Sequence, residues 1–169
     1  MINTNASARP DLKKYADFLS LADQEIDFIA QLYVEFEQLT TYPDILESED
    51  HLRSLASLFY DFTDRLLRIG KYCAEFEIWA EPVNRKLSAD AGHKSGIIFE
   101  IIFSENTLKL LNPFLSFYRN YSEVYPAKLS KSEIARLFDL FFSASESSAQ
   151  EITALLKNLR DSSAGDAQI

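Results

Sequence analysis

Apolar side chains recur along this chain at intervals that alternate between three and four, and that period predicts its elements. From Pro10 to Leu39 the positions Leu12, Tyr15, Leu19, Ala22, Ile26, Ile29, Tyr33 and Phe36 keep the alternation without a miss. All eight therefore share one face of a long helix. Pro10 suits the start, where a missing amide hydrogen costs nothing, and Thr40-Thr41-Tyr42-Pro43 ends the segment. Asp23, Glu25, Asp27, Glu35 and Glu37 are expected on the solvent side.

The same spacing returns at Leu52, Leu55, Phe59, Phe62, Leu66, Ile69, Cys73, Phe76 and Ala80, a second long helix from about Ser48 to Ala80. Ser48 is its N-cap, Glu49 and Asp50 complement the helix dipole, and Pro82 stops it. Gly70, inside this helix, lets a neighbouring helix approach. Two matching stripes joined by a short polar turn make an antiparallel hairpin.

Val83 to Gly96 breaks the pattern and reads as an exposed loop. Ile97–Phe103 is densely apolar; by pattern alone it fits a strand or a buried helix, and with no second strand-like run to pair with, a short buried helix is expected. Ser104 caps the next helix, which runs to Tyr125 with a kink or break expected near Asn112, because Pro113 lies inside it. Ser130-Lys-Ser-Glu133 is a capping box. It opens a last helix with the stripe Ile134, Phe138, Phe141, Ser145, Ser148, Ile152, Leu155 and Leu159, in which Ser145 and Ser148 mark a close helix approach. The expected fold is all-α: a mostly antiparallel bundle of four to five helices, two or three of them long and amphipathic. It forms one domain over residues 1–169, with an ordered core from about 9 to 160 and a frayed tail from 162 to 169.

Composition agrees with that architecture. Of 169 residues only 4 are Gly and 5 Pro, too few for the closely spaced turns of a sandwich or barrel. Hydrophobic residues make up 47% and charged residues 25%, which excludes wholesale disorder. A single cysteine, Cys73, excludes an internal disulfide framework and a cysteine-based zinc cluster. The polar N-terminal stretch carries no signal-peptide core, the longest apolar run contains Glu100, and the thiol fits a reducing compartment. No membrane contact and a cytoplasmic location are therefore expected.

The net charge is −9. Residues 1–84 hold 16 acids and 7 bases, whereas residues 85–169 hold 10 of each. Proteins that grip a phosphate backbone usually carry a clustered basic stripe, since counterion release supplies most of that affinity. No such stripe occurs, so nucleic acid is not an expected partner. The two histidines lack the Glu-x-x-His spacing of a di-iron bundle. Cys73 falls on a buried stripe, where a thiol is inert, and no phosphate-binding glycine loop or serine nucleophile elbow is present. No metal and no cofactor are expected.

One stretch carries a resemblance. Phe117-Tyr-Arg-Asn-Tyr-Ser-Glu-Val-Tyr125 sits late in a helix behind a long hairpin, and Leu58 to Arg65 reads LFYDFTDR. Between about Leu52 and Leu159 this order of helices and aromatics resembles HepT-like proteins of the HEPN superfamily, the ribonuclease halves of toxin–antitoxin pairs. The family motif is Arg, four residues, His or a polar substitute, one residue, then Tyr. Aligned here, Tyr118 takes the Arg position and Glu123 the His position, and Tyr125 alone is retained. A phenol supplies no charge to steady phosphate and Glu123 would repel it, so the resemblance implies a degenerate catalytic site.

The leading expectation is a non-catalytic interaction protein that binds a protein partner or pairs as a homodimer. Its contact residues are Phe117, Tyr118, Tyr121 and Tyr125, which with Phe114 are more aromatics than one helix face can bury. The alternatives are an active HepT-like ribonuclease, in which case the chain is an RNA endonuclease, and a bundle that senses a small ligand near Ile97–Phe103.

Overall fold

The computed structural model describes residues 12–76, 78, 99–100, 102–124 and 129–165. Among the described residues four helices make up the bundle: α1 (Leu12–Leu39), α2 (Glu49–Glu75), α3 (Glu105–Val124) and α4 (Lys131–Gly165). No strand occurs among the described residues. The expected loop Val83–Gly96 lies outside them, as do Ala80, Pro82 and Tyr125.

The helices run alternately up and down. Phe36 near the end of α1 meets Phe138 and Phe141 near the start of α4, while Asp23 pairs with Arg160 near the far end of α4. Glu151 of α4 reaches the N-terminus of α3, and Phe114 of α3 packs on Phe59 and Phe62 of α2. Each helix thus packs against the next, and α4 closes on α1. Aromatic rings fill the axis: Phe141 lies within 6.3 Å of Phe36, Phe59, Phe62 and Phe114.

The caps follow the sequence signals. The Ser48 side chain accepts from the His51 amide at 3.5 Å, and Ser130 Oγ accepts from the Glu133 amide at 3.3 Å. Ser104 Oγ accepts from the Thr107 amide at 3.4 Å. Here a second cap is added from across the fold: Glu151 accepts from the Ser104 amide at 2.7 Å and from Thr107 Oγ1 at 2.7 Å. A carboxylate at a helix N-terminus satisfies donors that the helix leaves open and complements its dipole. Ahead of this cap the Phe103 amide bonds the Phe99 carbonyl, one helical turn with Phe99, Ile102 and Phe103 buried.

Several expectations are corrected. α1 is rotated relative to its expected stripe: Phe18 is fully buried, and Glu25, expected in solvent, is 5% exposed. Its carboxylate accepts from Arg65 Nη1 at 3.0 Å and from the Tyr72 hydroxyl at 3.3 Å, which compensates the burial of a charge between α1 and α2. α2 ends at Glu75, short of Ala80; there the Ile78 amide bonds the Cys73 carbonyl at 2.8 Å and closes the last turn. α3 runs unbroken through Pro113, because Leu111 and Phe114 on either side are both held in the core. α4 continues to Gly165, past residue 160, the expected end of the ordered core, and into the tail expected to fray. Ser145 and Ser148 are both buried, with their hydroxyls donating to the carbonyls of Phe142 and Ser145 in their own helix.

Candidate functional site: the face of the second and third helices

Tyr60, Asp64 and Arg68 recur every four residues along α2, which lines them up on one edge of that helix. Tyr118 and Tyr121, three residues apart, line the facing edge of α3. Phe59 and Phe62 pack on Phe114 at 5.6 and 5.5 Å, which sets the height of one helix against the other. One turn above Phe114, Tyr118 then stacks on Tyr60, with ring centroids 4.5 Å apart and planes 17° from parallel. Tyr121 tilts against the same Tyr60 ring at 5.1 Å.

The polar atoms of this edge are joined. The Tyr118 hydroxyl donates to Asp64 Oδ1 at 2.9 Å, and Arg68 Nε donates to Asp64 Oδ2 at 2.8 Å. Burial pushes the Tyr118 phenol well above its ordinary range, and the hydroxyl of Tyr60 and the carboxylate of Asp64 add to the effect. The phenol is therefore a neutral hydrogen-bond donor at every physiological pH. Partial burial also raises the Asp61 carboxyl; Arg65 works against this, and the Asp64 charge adds to it. The Arg68 guanidinium is held by Asp64, the contact that raises its pKa most.

The structure separates the sequence candidates. Tyr118 and Tyr121 meet on a half-buried surface edge. Phe114 and Phe117, expected to be exposed, are core residues: Phe117 is 3% exposed and packs on Tyr121, so it offers nothing to a partner. Glu123 lies in the last turn of α3, and Tyr125 lies outside the described residues. Sequence reasoning missed Asp64 as the acceptor for Tyr118; its only signal was the four-residue ladder in α2.

Elsewhere, Cys73 is buried and its thiol is pushed up to about 12 by burial, so it holds its proton. Among the described residues no group of three or more His, Cys, Asp or Glu could hold a metal ion, and no helix is long and apolar enough to cross a membrane. Comparison of the chain with protein-family models, with curated proteins and with solved structures finds no match.

Proposed function

We propose that this chain is a non-catalytic helical interaction module, a HepT-like relative with a lost ribonuclease site, that binds a protein partner or pairs as a homodimer through the face around Tyr118 and Tyr121. The observation that carries the reading is the state of Tyr118. At the position where the family motif holds arginine stands a neutral phenol bonded to Asp64. A phosphate brought to this edge would meet two carboxylates, Asp61 and Asp64, and a guanidinium already engaged. Stabilising phosphoryl charge in a transition state requires preorganised cations or donors free to reach it. Aromatic side chains at the edge of a rigid helix pair are instead the chemistry of a protein contact.

The test is incubation of the purified protein with a mixed RNA pool, together with light scattering. No cleavage is expected, and Tyr118→Glu/Tyr121→Glu is expected to abolish association while circular dichroism stays unchanged. Cleavage that disappears in Arg119→Ala or Tyr125→Phe would overturn the reading in favour of an active ribonuclease.

A further inference from the structure

A different face carries a second, independent observation. Among the described residues the large hydrophobic side chains exposed to solvent are Phe28, Val34, Tyr42 and Phe142. Two are covered in part by polar groups: the Arg65 guanidinium lies 4.1 Å above the Phe28 ring, and His51 lies 4.6 Å from Tyr42. Val34, 50% exposed, and Phe142, 38% exposed, have no such cover. Phe142 lies on the seam of α1 and α4, packing edge-on against Tyr33 of α1 at 5.2 Å and against Phe36 at 4.9 Å. Val34, next to Tyr33, stands about 100° further round α1, on the outer rim of that seam.

The charge along this seam has one sign. α1 from Tyr15 to Leu39 and α4 from Leu137 to Leu156 contain nine acids and no Lys, Arg or His. Three of the nine are engaged elsewhere: Asp23 with Arg160, Glu25 with Arg65, and Glu151 at the cap of α3. Four others ring the apolar patch at helical spacing. Asp27 and Glu37 lie seven residues before and three after Val34; Asp139 and Glu146 lie three before and four after Phe142. All four are exposed, and no ion pair reaches them among the described residues. A second copy docked by the same face would set these acidic rims against each other, so symmetric pairing here is opposed.

We infer that the seam of α1 and α4 around Val34 and Phe142 docks a basic amphipathic helix of a partner protein. The apolar stripe of that helix would lie on Tyr33, Val34 and Phe142, and its Lys and Arg residues would face Glu37, Asp139 and Glu146. This is helix-in-groove recognition with the sign of the rim choosing the partner. It does not depend on the face around Tyr118.

The test uses a fluorescein-labelled 18-residue peptide with Leu on one helical face and Lys on the other, read by fluorescence anisotropy. A Leu/Glu peptide of the same pattern is the comparison. Only the Leu/Lys peptide is expected to bind, with affinity falling as salt is raised. Val34→Ser, Phe142→Ser and the reversal Glu37→Lys/Glu146→Lys should each weaken it about tenfold or more. The matched reversal Glu105→Lys/Asp161→Lys, placed on other surfaces, should change it less than about twofold. Should Phe142→Ser lose helicity, Val34→Ser decides alone. Equal weakening by both reversals would reduce the effect to net charge and overturn the inference. So would binding of the Leu/Glu peptide, no binding of either, or a homodimer in light scattering that Val34→Ser converts to monomer.

Discussion

Phe141→Ala removes the ring on which the bundle closes. Phe141 is fully buried, with Phe36 of α1 at 4.4 Å, Phe62 and Phe59 of α2 at 5.1 and 5.6 Å, and Phe114 of α3 at 6.3 Å. Truncation leaves a cavity whose walls belong to three other helices, so no single segment can move to fill it. Phe→Ala at such sites costs about 3–5 kcal/mol. For a chain of this size each kcal/mol lowers the melting temperature by roughly 2–4 °C, so a fall of about 6–20 °C is expected. Urea denaturation followed by circular dichroism should show a lower midpoint at unchanged slope. The adjacent Phe142→Ala is the internal control: one edge of that ring already faces water, so about 1–2 kcal/mol is expected. Equal losses at the two positions, or an unchanged melting temperature for Phe141→Ala, would show that the helix face had been assigned wrongly.

Three further outcomes are expected. Removing the charge of Glu25 by Glu25→Gln leaves Arg65 without its counter-ion and should cost about 1–3 kcal/mol, with a double-mutant cycle against Arg65→Met recovering most of it; additive losses would mean the two residues do not interact. Glu151→Ala should speed hydrogen exchange at the amide of Ser104 and in the first turn of α3 and leave the amides at the start of α2 unchanged, because it removes the second cap of α3 and touches no other helix start. The Cys73 thiol ionises near 9 when exposed and at about 12 in the fold, so alkali favours the unfolded chain. Stability should therefore fall by about 1.4 kcal/mol per pH unit from Cys73 across that window, and alkaline urea melts of Cys73→Ala should lose that part of the slope.

The architecture was legible because it rests on local signals. Ser48, Ser104 and Ser130 each announce a helix start within one turn of sequence, and the stripes of α2 and α4 name most of the residues that fill the axis. What escaped is governed by partners distant in sequence. Glu25 looks like one more acid on a charged face. Its burial depends on Arg65, 40 positions away, and on Tyr72, 47 positions away. With that pair between α1 and α2, Phe18 lies in the core and Tyr15, Leu19 and Ile26 lie at its edge. A three-four alternation fixes a stripe but leaves its centre free by about one side chain, and here the centre runs through Phe18, Ala22, Glu25, Ile29 and Phe36, with the Glu25–Arg65 pair compatible with that rotation. Pro113 follows the same logic. Its local effect is to delete one helical hydrogen bond, yet the burial of Leu111 and Phe114 beside it carries the helix through.

The Tyr118 face shows why a site can be half readable. Its aromatics were evident in the sequence, but their division into core and surface was not, since Phe114, Phe117, Tyr118 and Tyr121 occupy neighbouring rows of one helix. The core makes the division. Phe114 must sit opposite Phe59 and Phe62, and with that height fixed the next turn of α3 brings Tyr118 level with Tyr60 and Asp64. The bond between Tyr118 and Asp64 is then a consequence of helix register and not its cause. Tyr118→Phe should accordingly keep the stacking on Tyr60 and most of the stability, losing about 1 kcal/mol for one hydrogen bond. Phe114→Ala, though it touches neither polar residue, should loosen the whole edge. Ultraviolet titration of tyrosine reads the difference: Phe114→Ala should bring the late-ionising phenol of Tyr118 back toward the ordinary tyrosine range, whereas Tyr118→Phe should delete that step altogether. A late step that survives Phe114→Ala unchanged would mean that the two helices are aligned by their polar edge after all.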